Sequence, residues 1–144
     1  MATTTYDDHG VVFEYPSEWT VEVTDEGPLT TVNLEHPEGV AFLIVTFDLS
    51  GPDPGEVADA ILETLREDYP ELEEDPFEQV LNKRLVSGYD VQFFALDLPN
   101  TARIRSFRTF SRTILIYGQW ADLVDAEVSD VADSIIGSVE DTED

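Results

Sequence analysis

The sequence has no cysteine, one methionine and a single lysine. Without cysteine there can be no disulfide, no thiolate metal site and no cysteine nucleophile, and the redox compartment stays open. Only two histidines occur, His9 and His36, and neither falls in a metal-binding spacing such as H-E-x-x-H. Both read as turn residues. Phosphate cradles of the G-x-x-x-x-G-K and G-x-G-x-x-G types are missing, as is the G-x-S-x-G nucleophile elbow. No catalytic residue, metal or cofactor is therefore expected, and the chain does not read as an enzyme. Long apolar runs are lacking too: the longest clean one, Val40 to Val45, is far short of the roughly 20 residues that span a bilayer. The start, Met1 to Asp8, shows neither the basic nor the apolar region of a secretory signal. A soluble, cytoplasmic chain is the expectation.

Positive charge is the scarcest commodity. Seven Lys+Arg face 32 Asp+Glu over 144 residues, a formal net charge of −25. Nucleic acids and anionic membranes require a positive footprint, so neither is an expected partner. Acid excess with so little lysine resembles the proteins of salt-accumulating halophiles. At molar salt the Debye length falls to about 3 Å, and the self-repulsion of such a chain is largely removed. The hydrophobic fraction of 42%, with 8 Phe, 5 Tyr and 2 Trp, is too rich for a disordered acidic tail. The length fits one domain, residues 1–144, which can bury roughly 70% of the surface its unfolded form exposes.

Periodicity organises the chain. Val11–Tyr15 is a β-rich run stopped by Pro16-Ser17, and Trp19–Thr24 alternates apolar and polar. Asp25-Glu26-Gly27-Pro28 turns the chain, Leu29–Leu34 resumes the β pattern, and His36-Pro37-Glu38-Gly39 turns it again. Val40–Leu49 is the most hydrophobic strand and is expected at a central position. Asp53 then reads as an N-cap, with Pro54 at the first helical position and Glu56 in capping-box spacing. Val57, Ile61 and Leu65, widened by Ala58, Leu62 and Tyr69, form the apolar stripe of a helix ended by Pro70. Residues 70–79 read as a solvated acidic connector, whose Glu71, Glu73, Glu74, Asp75 and Glu78 show no EF-hand register. Val80–Val86 is expected to turn at Ser87-Gly88 into Tyr89–Leu98. After a turn at Pro99-Asn100, Thr101–Thr109 and Arg112–Gln119 form the last hairpin. From Asp122 a second amphipathic helix carries Val124, Val128, Val131 and Ile135, with Asp122, Asp125 and Glu127 near its start. It closes near Gly137, and Glu140–Asp144 reads as an acidic tail. The order is ββββα-ββββα. Without βαβ alternation this describes an α+β domain, a mostly antiparallel β-sheet with two amphipathic helices packed on it.

Gly10-Val11-Val12-Phe13-Glu14-Tyr15-Pro16-Ser17-Glu18-Trp19 resembles the G-hydrophobic-x-F-x-Y-P-x-x-W start of PsbP-like domains. The ending, Arg112 to Gln119 running into a helix with Ser134-Ile135-Ile136-Gly137-Ser138-Val139, is similar to theirs, and so is the order of elements between. The resemblance implies an antiparallel sheet sandwiched by helices. Its members include photosystem II extrinsic subunits, a nuclear-import factor that binds the GTPase Ran, and bacterial secretion adaptors. It thereby implies a binding or scaffold module with another protein as partner. It carries over no functional residue.

One stretch departs from the acidic background: Arg103, Arg105, Arg108 and Arg112 place four of the seven bases within ten residues. On a regular strand Arg103 and Arg105 share a face and Arg108 lies on the other. One reading is a cross-strand ion-pair surface that offsets the acidic bulk. The other is a partner- or anion-binding site of these four arginines with Phe107, where the planar guanidinium fork suits carboxylate or phosphate. Core packing is the default for Trp19, Trp120, Phe93, Phe94 and Phe107, while a patch left exposed would mark a partner surface. The leading expectation is a non-enzymatic interaction module adapted to high salt. A small anionic-ligand-binding protein using Arg103 or Arg105 is the alternative, and a carboxylate-dependent hydrolase ranks last.

Overall fold

A computed structural model describes residues 2–81, 83–123 and 127–142. Ten strands and two helices are found among them: β1 (Thr3–Asp8), β2 (Val11–Pro16), β3 (Thr20–Glu26), β4 (Leu29–Glu35), β5 (Ala41–Asp48), α1 (Pro54–Asp68), β6 (Glu73–Leu81), β7 (Arg84–Ala95), β8 (Leu98–Arg108), β9 (Thr113–Ala121), α2 (Glu127–Ser138) and β10 (Glu140–Asp141). Seven strands form one sheet in the order β3-β4-β5-β9-β8-β7-β6, and β1-β2-β10 form a second. All pairings described are antiparallel. The α+β class with two packed helices is as expected.

The large sheet is covered on both faces. On one, Ala58, Leu62 and Leu65 of α1 pack on Val91, Phe93, Ala102 and Ile104. On the other, Val128, Ala132 and Ile135 of α2, together with Phe13 of the small sheet, pack on Leu43, Val45, Ile114 and Ile116. β5 lies between β4 and β9, and its Ala41, Leu43, Val45 and Phe47 are all buried. The quoted opening motif builds this second core. Phe13 stacks on Tyr6 at 4.9 Å, Gly10 turns the chain at φ 77°, and Trp19 packs over His36. α1 starts as its sequence dictates: the Asp53 carboxylate accepts from the Glu56 N–H at 3.0 Å.

Five local expectations are corrected. Five strands, not four, precede α1, because Thr3–Asp8 pairs with β2 although only Tyr6 of it is buried. The supposed connector is mostly strand β6. Pro76 is tolerated there because β6 lies at the sheet edge. β6 ends at Leu81 and β7 begins at Arg84, with Lys83 at φ 65° before it, and β7 runs straight through Ser87-Gly88. Gly88 is needed for close approach: a Cβ there would sit 1.7 Å from the Ile104 carbonyl oxygen. The next turn falls at Leu96-Asp97, so Pro99-Asn100 belong to β8. Finally, Glu140–Asp141, in the stretch read as an acidic tail, pairs with Val12 and Val11, because Asp141 finds a buried cation. Asp122 precedes α2 and accepts from the Thr101 hydroxyl at 2.6 Å. Val124 and Asp125 of the expected second helix, and Glu143–Asp144, lie outside the described residues.

Candidate functional site

β8 distributes the arginine cluster over both sheet faces. Arg103, Arg105 and Phe107 point to the α2 side, and Arg108 to the α1 side, as strand alternation requires. Arg103 pairs with Asp133 on α2, donates to the Ser129 hydroxyl at 3.2 Å, and lies 5.1 Å from the Trp120 ring centre. Arg105 is 6% exposed. It donates to Asp90 at 2.8 Å and to the Ile104 carbonyl at 3.0 Å, and its guanidinium sits 3.6 Å over the Phe77 ring. Burial lowers its pKa below the ordinary arginine value, and the Asp90 carboxylate acts in the opposite direction.

Arg112 lies in the β8–β9 connection and is 3% exposed. Its Nε is 3.2 Å from the Asp141 carboxylate, which also accepts from Thr109 at 2.5 Å and Ser111 at 3.0 Å. Arg112 further donates to the His9 carbonyl at 2.5 Å. This buried network joins β10, the β1–β2 turn and the large sheet. Three of the four clustered arginines thus engage carboxylates of the chain itself, which is the ion-pair reading with the pairs partly buried. Phe107 is buried, so the five residues form no single exposed site. Arg108 alone of the four is exposed and has no ion pair among the described residues.

Of the aromatics singled out, Trp19, Trp120, Phe93 and Phe107 are buried, whereas Phe94 is 71% exposed. Phe94 sits at the β7–β8 tip. Beside it Leu96 is 96% exposed, and Leu98 and Leu123 are also exposed. A hydrogen bond from the Asp122 N–H to the Pro99 carbonyl, 2.9 Å, brings the Leu123 segment to the start of β8. Next to the tip, Tyr69, Pro70, Leu72, Phe93 and Phe94 line a shallow groove of about 310 Å³. Leu96 and Asp97 occupy left-handed conformations, φ 54° and 64°, that a two-residue hairpin normally gives to Asn or Gly. The sequence carries no strong turn signal here, since Leu96-Asp97-Leu98 contains neither Asn nor Gly.

The other candidates serve the fold. Glu74 of the acidic stretch pairs with Arg66, and among the described residues no group of three His, Cys, Asp or Glu could hold a metal ion. His36 accepts from the Glu38 N–H at 3.0 Å. His9 links Tyr6 at 2.8 Å to Asp25 at 3.0 Å, and Asp25 also accepts from Thr30 at 2.6 Å. These two hydrogen bonds, Thr30 first, hold the Asp25 carboxyl below its ordinary pKa. Burial, with Asp8 and Asp25 nearby, pushes the Tyr6 phenol up to about 12. Among the described residues no helix is long and apolar enough to cross a membrane.

No family model matches the sequence, and no curated protein matches it. Solved structures do match in fold. The solution structure of cyanobacterial PsbP (CyanoP) from Synechocystis aligns with a TM-score of 0.70 at 12% identity, covering 96% of this chain and 92% of that one. A Bacteroides thetaiotaomicron structure gives 0.63 at 14% identity over 98% of this chain, which spans about half (49%) of that protein. LpqN, involved in cell envelope biogenesis of Mycobacterium tuberculosis, gives 0.59 at 11% identity over 96% and 89% of the two chains. The fold is PsbP-like.

Proposed function

We propose that this chain is a non-enzymatic protein-interaction module that docks a partner protein through the β7–β8 tip. The observation that carries the reading is Leu96, almost fully exposed with φ 54°. Leaving a leucine in water forgoes about 1.5–3 kcal/mol of burial, and a left-handed backbone at a residue with a Cβ costs roughly 1–2 kcal/mol. Both costs fall on one residue, flanked by exposed Phe94 and Leu98, where Gly or Asn would remove them. A partner that covers the tip recovers the burial. The PsbP-like fold is compatible with this role.

The setting belongs to the same proposal: the cytoplasm of a salt-accumulating organism, where the charge of −25 is screened. Nucleic acid and anionic membrane are not its partners. A small-anion site built on Arg103 or Arg105 has no support, since Asp133 and Asp90 occupy their guanidinium groups. The test is retention of a discrete protein from source-organism extract at molar KCl, by the native chain and by Phe94→Ser. The reading expects retention by the first and loss by the second; equal retention would contradict it.

A further inference from the structure

We infer that the open cavity between the β6–β7 turn and the start of α1 is a binding site for a phosphoryl group carried by a small molecule. The inference goes beyond the docking role and does not depend on it. The cavity, about 490 Å³, is lined among others by Gly55 at the start of α1, Lys83 just before β7, Ser87 within β7, and Arg108 at the end of β8. Lys83 and Arg108 are exposed and, among the described residues, make no hydrogen bond or ion pair. Cations without partners are unexpected in a chain with 32 carboxylates, and these two line the same cavity.

The surroundings hold this arrangement in place. Arg108 pairs across the strands with Thr113, whose hydroxyl donates to the Pro52 carbonyl at 2.5 Å and pins the loop before α1. In that loop Gly51, φ 63°, leaves room for the Arg108 guanidinium: a Cβ there would lie 2.6 Å from its Nη2. The Asp53 carboxylate also lines the cavity, but its Oδ2 is committed to the Glu56 N–H. Ser87 pairs across the strands with Ser106, so both side chains lie on the α1 face. A planar guanidinium fork, a lysine point charge, a serine hydroxyl and the Gly55 N–H suit a tetrahedral dianion better than a monoanionic carboxylate.

The test is titration of the full chain with inorganic phosphate, followed by amide and arginine NMR shifts, at molar ionic strength held constant with KCl. Chloride competes throughout, and acetate is the comparator. Saturable shifts at Gly55, Ser87 and Arg108 are expected, with acetate weaker. Arg108→Gln and Lys83→Gln should each weaken phosphate binding about tenfold, equivalent to ~1.4 kcal/mol, whereas Arg66→Gln, remote from the cavity, should leave it unchanged. Lys83 sits on an exposed turn, so its variant carries the test even if Arg108→Gln perturbs folding. Shifts that do not saturate, equal binding of acetate, or unchanged affinity in Lys83→Gln would overturn the assignment.

Discussion

Arg105 of β8 lays its guanidinium 3.6 Å over the ring of Phe77 on β6, although a whole strand separates the two. The intervening residue in register is Gly88, opposite Phe77 on one side and Arg105 on the other. The missing side chain lets the arginine cross. Replacing Arg105 by Lys keeps the charge on Asp90 but loses the planar stack, and should cost about 1–2 kcal/mol in urea unfolding. Gly88→Ala should cost more, at or above the upper end of the ~1–3 kcal/mol typical of overpacking, because the clash is with backbone.

The Arg112–Asp141 pair has almost no contact with solvent. Asp141→Ala removes this carboxylate from the buried Arg112 charge and should destabilise the chain by about 3–5 kcal/mol. In Arg112→Met/Asp141→Ala both charges are gone, and the loss should be smaller than in the single variant. Equilibrium urea unfolding of both variants measures the difference.

Tyr6 gives the alkaline limb of stability its shape. Its phenol holds its proton up to about 12 in the folded chain, against 10.0 for the free group. Between these values the native state binds a proton that the unfolded state has released, so stability falls as pH rises through that window. Tyr6→Phe should lower stability at neutral pH and flatten the alkaline fall, as thermal melts across the window would report.

Salt should act in the opposite direction to its effect on ordinary surface ion pairs. Screening relieves the −25 self-repulsion, while the buried Arg112–Asp141 pair is screened little. Raising KCl from dilute buffer to about 2 M should raise the melting midpoint by several degrees, where each 1 kcal/mol is worth roughly 2–8 °C. A flat response would remove the case for adaptation to high salt.

What the sequence revealed follows from where burial is one-sided. α1 was legible from Asp53, Pro54 and its stripe, β3 from the alternation of Trp19–Thr24, β5 from its near-continuous apolar run, and β2 and β4 from β-rich runs bounded by turn residues. β1 and β6 were not: like β3 they are edge strands that bury little, but unlike Thr20–Thr24 they carry no regular apolar alternation, with Tyr6 alone buried in Thr3–Asp8 and none of Glu73–Leu81 fully buried. Glycine misled once. Gly88 signals close packing between strands, while the true turns use Lys83 and Leu96, residues that turn statistics disfavour. The arginine cluster was visible as a departure from composition, but its fate depended on Asp90, Asp133 and Asp141, which only the folded chain brings near. Sequence spacing also could not bring Lys83 beside Arg108.

The central claim, that the β7–β8 tip is kept apolar for a partner, is tested most directly by Leu96→Gly. Glycine relieves the left-handed strain of roughly 1–2 kcal/mol and removes the exposed side chain, so the variant should fold at least as stably as the native chain. The decisive measurement is the amount of partner protein it retains from extract at molar KCl, relative to the native chain. The account predicts a loss of about tenfold or more, the equivalent of ~1.4 kcal/mol of lost contact. Retention equal to that of the native chain would contradict it.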